Sequence, residues 1–143
     1  MKSVIKRLLP LVLIAAGMEL AQAGIVVVVN ADNPTDMLSK EGAARLFLKK
    51  DTSFKTGLKA DPIDHGNESQ LREKFYTEVV NKNASQMTSY WSRMIFTGKA
   101  VPPKSVGNTD EEVINAIMNN SGAIGYIDAR SVDKRVKVLL TVN

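Results

Sequence analysis

The residues best suited to chemistry lie in one stretch, PIDHGNESQLREKF, which occupies Pro62–Phe75. This pattern predicts a short strand, a loop, and then a helix that begins at Ser69. The first N–H groups of a helix lack acceptors within the helix and lie at the positive end of its dipole, so they favour an anion. The sequence therefore predicts an oxyanion site, whose candidate residues are His65, Ser69, Gln70, Leu71 and Arg72.

A simpler interpretation of this stretch remains open. Ser69 can be an N-cap residue only, which stabilises a helix by about 1 kcal/mol. Arg72 would then be an ordinary exposed helix residue. Tyr90 and Trp91 could stack on a ligand, but their helical spacing, which Ile95 shares, favours packing in the core.

Composition and motifs argue against an enzyme. The sequence has no cysteine and one histidine, so thiol chemistry, disulfides and Cys- or multi-His metal sites are excluded. It has no Gly-x-Ser-x-Gly elbow, Walker loop or Gly-x-Gly-x-x-Gly loop. Ser69 with His65 as its base would need an orienting acid, and Asp64 should face the other side of the strand. We predict no catalytic residue, no metal site and no cofactor.

Residues 1–23 have the layout of a cleavable signal peptide. Lys2, Lys6 and Arg7 precede an apolar run, and Ala21-Gln22-Ala23 offers small residues for cleavage. Glu19 interrupts the apolar run too early for the roughly 20 residues of a membrane anchor. We therefore predict a periplasmic domain at residues 24–143 without stable membrane insertion. Its net charge is only +2, because three cations and one carboxylate lie in residues 1–23, and we predict no nucleic-acid binding.

The remaining pattern predicts one α/β domain with a mostly parallel or mixed sheet flanked by helices. GIVVVVN is a continuous β-branched run closed by Asn30, which is typical of a parallel-sheet strand buried on both faces. The predicted strands are Gly24–Asn30, Leu58–Asp64, Ala123–Ile127 and Val136–Val142. Besides the Ser69 helix, the predicted helices are Lys40–Leu48 capped by Ser39, Gln86–Phe96 capped by Ser85, and one capped by Thr109.

Several of these pieces together resemble the periplasmic phosphate-binding proteins of ABC importers. They are GIVVVVNADNP, LSKEGAARLFLKK, the Ser69 loop, YWSRMIFTGK and SGAIGYID. The resemblance implies one lobe of the type 2 periplasmic-binding-protein fold, as in short, signal-bearing members. Family members have an Arg, then three residues, and then Ser-Gly-Thr at a helix start. Here the Ser matches Ser69, whereas His65, Gln70 and Leu71 stand at the Arg, Gly and Thr positions.

These departures lead to two hypotheses. The first is an exported substrate-binding-protein-like domain that binds phosphate or another oxyanion weakly, as a single lobe or as a homodimer that rebuilds a cleft. Its expected partners are a small inorganic anion and an ABC importer or another envelope protein. The second is a partner-binding or regulatory module that has kept the lobe and lost the ligand.

Overall fold

The computed structural model describes residues 24–143, and the predicted signal peptide lies outside the described residues. The strands in this range are β1 (Ile25–Asn30), β2 (Asp61–Asp64), β3 (Lys104–Ser105), β4 (Ala123–Asp128) and β5 (Val136–Val142). The helices are α1 (Lys40–Phe47), α2 (Gln70–Phe75), α3 (Ala84–Phe96) and α4 (Asp110–Met118). Tyr76–Val80 extends α2 as a π-helical turn, and Ala129–Ser131 forms a 3₁₀ turn after β4.

The strands form one mixed sheet in the order β3-β2-β4-β1-β5. β2 runs parallel to both β3 and β4, whereas β1 runs antiparallel to both β4 and β5. The predicted α/β class and mixed sheet are thus confirmed. The parallel arrangement expected for β1 is wrong, although the strand is buried on both faces as predicted.

Helices on both faces of the sheet explain why β1 is apolar at every position before Asn30. Ile25, Val27 and Val29 pack in a core with buried residues of α1 and α3, while Val26 and Val28 pack in a second core with α4. Because successive side chains of a strand alternate between faces, a central strand between two helical layers needs apolar residues at every position. The same sequence pattern therefore suits an antiparallel strand.

Side-chain caps begin each helix. Ser39 and Thr109 cap α1 and α4, which confirms both predictions. Asn83 caps α3 instead of Ser85, because its side chain and that of Gln86 form a reciprocal capping box. No helix in residues 24–143 is both long and apolar enough to cross a membrane.

Candidate functional site

The candidate site lies at the carboxyl edge of the three parallel strands. β2 ends at Asp64, the loop continues through His65, and Ser69 begins α2. A hydrogen bond of 2.8 Å from Gly66 N to Gly107 O fastens this loop to the segment that follows β3. Ligands of open α/β sheets bind in crevices outside the carboxyl ends of the strands, so this location suits a binding site.

His65 is buried, with 2% of its surface exposed, and its ring stacks on the Tyr126 ring at a centroid distance of 4.6 Å. Nε2 lies 2.9 Å from the Tyr126 carbonyl oxygen, which can only accept, so Nε2 carries a proton. In the neutral ring Nδ1 is then an acceptor, and the Ser69 hydroxyl donates to it at 3.0 Å. Asp110 Oδ1 lies 3.9 Å from Nε2. Both ring nitrogens are therefore engaged within the protein.

Ser69 is the N-cap residue of α2, and its Oγ accepts a hydrogen bond from Arg72 N at 3.2 Å. The N–H groups of Gln70 and Leu71 belong to the first turn, where a helix supplies no acceptor. Gln70 is exposed and Leu71 is half-buried. Both line a crevice of about 430 Å³ together with His65, Glu68, Ser69, Asn108, Asp110 and Asp128.

Arg72 lies on the other side of Ser69. Its Nε is 3.5 Å from Asp64 Oδ2, and its guanidinium covers the Tyr76 ring at 5.1 Å from the centroid. Arg72 lines a second cavity, of about 230 Å³, which it shares with Ser69 but not with the other candidate residues. The structure thus brings four candidates into one crevice and places Arg72 beside it.

Carboxylates dominate the charge of the crevice. Glu68, Asp110 and Asp128 all line it. Asp110 Oδ2 accepts hydrogen bonds from Asp128 N at 3.0 Å and from Ser131 Oγ at 2.6 Å. The side-chain hydrogen bonds from Arg130 lower the pKa of Asp128, so this carboxylate is held in its charged form. Such a crevice repels an anion unless the N–H groups of the first helical turn outweigh the carboxylates.

Behind the crevice lies a buried carboxylate that the sequence reasoning missed. Asp64 is 4% exposed and accepts hydrogen bonds from His65 N at 2.9 Å, from the Tyr76 hydroxyl at 2.7 Å and from the Tyr126 hydroxyl. Burial, reinforced by the charge and hydrogen bond of Asp64, raises the pKa of both tyrosines. The available signal was Tyr126 within an apolar strand, since a buried tyrosine hydroxyl usually has a polar partner.

The arrangement offers little beyond hydrogen bonding. A serine hydroxyl that donates to a histidine has the arrangement of a nucleophile and its base. Here, however, the other ring nitrogen lies 2.9 Å from a backbone carbonyl oxygen and not beside an orienting acid. Asp64, as expected, contacts the His65 backbone and not its ring. Within residues 24–143, no group of three or more histidine and acidic side chains could hold a metal ion.

The fold is similar to that of several solved structures. No model of a protein family matches the sequence, and no curated protein is similar to it. Three structures align over 82% of this chain. One of them is described as a phosphate ABC transporter substrate-binding protein from Clostridium perfringens with bound phosphate. It is 20% identical to this chain, the TM-score is 0.66, and this chain covers 44% of its length.

The other two come from different bacteria. An ABC-type phosphate transport receptor from Vibrio cholerae is 21% identical, with a TM-score of 0.64 over 45% of its length. PstS from Borrelia burgdorferi is 13% identical, with a TM-score of 0.61 over 46% of its length. The chain therefore has the mixed-sheet α/β fold of phosphate ABC transporter substrate-binding proteins, and it spans less than half the length of each of these three structures.

Proposed function

We propose that this chain is an exported domain of the substrate-binding-protein type that binds phosphate or another small oxyanion weakly. The carrying observation is the crevice at the carboxyl edge of β2 and β4, into which the first turn of α2 faces with Ser69, Gln70 and Leu71. Solved neighbours with this fold include one with bound phosphate. The chain would act on the anion by binding alone, without a catalytic residue, a metal or a cofactor.

The contacts within the crevice account for weak binding. The Ser69 hydroxyl proton is directed at His65, and Arg72 lies beside Asp64 on the neighbouring cavity. The remaining donors are the N–H groups of the first turn and the amide of Asn108, opposed by three carboxylates. Such a site should bind with a dissociation constant of about 1 mM or weaker, which corresponds to about 4 kcal/mol. A second copy, or an ABC importer, would cover the crevice and strengthen the contact.

The second candidate function is a partner-binding or regulatory module without a ligand. The observation that favours it is that His65, Ser69 and Arg72 already have partners within the protein. In this function the Ser69–His65 pair stabilises the loop, and an importer or another envelope protein binds elsewhere. The two candidates differ in one measurable property, which is saturable anion binding at the start of α2.

Calorimetric titration with phosphate and with sulfate distinguishes the candidates. The informative variant is Gln70→Pro, because proline is well tolerated at the first position of a helix but deletes the N–H group that would contact the anion. The matched control is Lys40→Pro, which makes the same change at the first position of α1 after Ser39. Ser69→Ala is less informative, because it removes the Ser69 hydroxyl and the N-cap of α2 together.

We expect saturable heat in the unchanged chain and in Lys40→Pro, and at least a tenfold loss of affinity, roughly 1.4 kcal/mol, in Gln70→Pro. Thermal unfolding of each variant checks that it is folded. Absence of saturable binding in the unchanged chain would favour the ligand-free module. Equal affinities in Gln70→Pro and Lys40→Pro would refute the proposed place of binding.

A further inference from the structure

The chain between Val79 and Thr109 contains four basic residues and no Asp or Glu. Its charged residues are Lys82, Arg93, Lys99 and Lys104. Within the described part of the chain, none of these four side chains forms a salt bridge, whereas arginines elsewhere pair with Asp51, Asp64, Asp128 and Asp133. Lys82 and Arg93 lie over the Tyr90 ring, at 6.0 and 5.8 Å from its centroid. The segment, which includes α3 and β3, therefore carries positive charge that no carboxylate of the described residues pairs with.

The same segment exposes large apolar side chains. Phe96 is 91% exposed, Ile95 is 54% exposed and Val101 is 62% exposed. Periodicity placed Ile95 on the inner face of α3, and that prediction is wrong because the helix extends beyond the core at this end. We call the five exposed residues Arg93, Ile95, Phe96, Lys99 and Val101, which all lie between positions 93 and 101, the Phe96 surface.

The backbone holds the Phe96 surface in a defined shape. Gly98 adopts a φ of 71°, and hydrogen bonds run from Gly98 N to Ile95 O at 3.0 Å and from Lys99 N to Met94 O at 2.9 Å. These two bonds form the Schellman motif, which terminates a helix and satisfies its last carbonyls. One turn earlier, Tyr90 and Trp91 are buried in the core. Phe96 is therefore exposed on an ordered helix end.

We propose that the Phe96 surface binds the surface of an anionic phospholipid membrane. Apolar side chains beside lysine and arginine match the interface of such a membrane, where the apolar side chains enter the acyl boundary and the cations remain among the headgroups. A stable protein interface buries about 800 Å² on each partner, which is more than three apolar side chains offer. Reversible membrane binding needs only a few inserted side chains and several cations.

The absence of cysteine allows a label to be placed at single sites of the full chain. Phe96→Cys and Met37→Cys would each carry an environment-sensitive NBD label, and Met37 is a control because it is 78% exposed and lies outside the Phe96 surface. The probes are vesicles of phosphatidylethanolamine with phosphatidylglycerol, and vesicles of phosphatidylcholine alone. We expect a blue-shifted, brighter NBD signal at position 96 only, and only with phosphatidylglycerol.

A second set of variants tests the contributions to binding. In the chain labelled at position 96, Lys99→Glu should weaken vesicle binding at least about fivefold, because it removes one basic residue, worth about 1 kcal/mol near an anionic surface, and adds a carboxylate that the surface repels. Lys55→Glu, an exposed lysine outside the segment, is the charge-matched control. High salt should also release the labelled chain.

Three results would overturn the proposal. The first is a label at position 96 that stays in a water-like environment with phosphatidylglycerol vesicles. The second is an equal response of the label at position 37, which would indicate insertion by another part of the chain, such as residues 1–23. The third is a response at position 96 to soluble poly-glutamate but not to vesicles, which would indicate an acidic protein partner.

Discussion

Removing the hydroxyl of Tyr76 or Tyr126 should destabilise the protein more than removing the hydroxyl of Tyr90. Tyr76 and Tyr126 donate to the buried carboxylate of Asp64, whereas Tyr90 donates to the Leu48 carbonyl at 2.7 Å. These are the three tyrosines of the chain, so each Tyr→Phe change is matched in shape to the other two.

The acceptor determines the expected magnitude. A hydrogen bond to a charged group contributes about 1.5–3 kcal/mol, and one to a neutral group contributes about 1 kcal/mol. Asp64 has lost almost all contact with water, because it is 4% exposed. Loss of one donor therefore leaves a buried charge less well solvated, and we expect the free energy of unfolding to fall by about 2 kcal/mol for Tyr76→Phe and for Tyr126→Phe.

Urea unfolding at pH 7, followed by circular dichroism, measures these changes. With a urea slope of roughly 2 kcal/mol/M, the midpoint should fall by about 1 M for Tyr76→Phe and by about half as much for Tyr90→Phe. In a double-mutant cycle, Asp64→Asn should reduce the cost of Tyr76→Phe, because the acceptor is then neutral. Midpoints for Tyr76→Phe and Tyr126→Phe at or above that of Tyr90→Phe would refute the reasoning about Asp64.

Two further predictions concern alkaline pH and export. The folded protein raises the pKa of Tyr76 and Tyr126. Above about pH 10 the unfolded chain therefore releases tyrosine protons that the folded protein retains. The contribution of these two tyrosines to stability is thus complete below about pH 10 and is lost as the pH rises above it. The free energy of unfolding, measured by urea unfolding from about pH 7 to 11, should fall above about pH 10, and it should fall clearly less in the double variant Tyr76→Phe/Tyr126→Phe. Parallel plots of unfolding free energy against pH for the two proteins would contradict the assignment of this loss to Tyr76 and Tyr126. For export, the protein recovered from the periplasm should begin at Gly24, and N-terminal sequencing that finds Met1 would exclude cleavage after Ala23.

Local sequence patterns were sufficient to predict most of the helices and strands. Ser39 and Thr109 each precede an apolar periodic segment, and each caps the helix predicted from it. The cap of α3 was displaced by two residues, because Asn83 and Gln86 together satisfy two backbone N–H groups, whereas Ser85 alone would satisfy one. Ile95 was misplaced for another reason: periodicity defines the face of a helix but not where the core beneath it ends.

The candidate site was predicted in position but not in its contacts. Four of the five proposed residues line one crevice, which agrees with a loop that follows a strand and precedes a helix. The sequence did not indicate that the Tyr126 carbonyl would engage the His65 ring, since Tyr126 is 61 residues away. Contacts between residues so far apart depend on strand order, which local patterns do not define.

The sequence by itself determined the α/β class, the two-faced burial of β1, and the start of a helix at Ser69, because periodicity and capping depend on residues a few positions apart. Only the tertiary structure decided that β1 is antiparallel to both its neighbours and that β2 lies beside β4. That pairing brings Tyr126 to His65 and Asp64 and gathers three carboxylates around the start of α2. The physical reason is that charges and hydrogen bonds act between neighbours in space, and strand pairing determines which residues become neighbours.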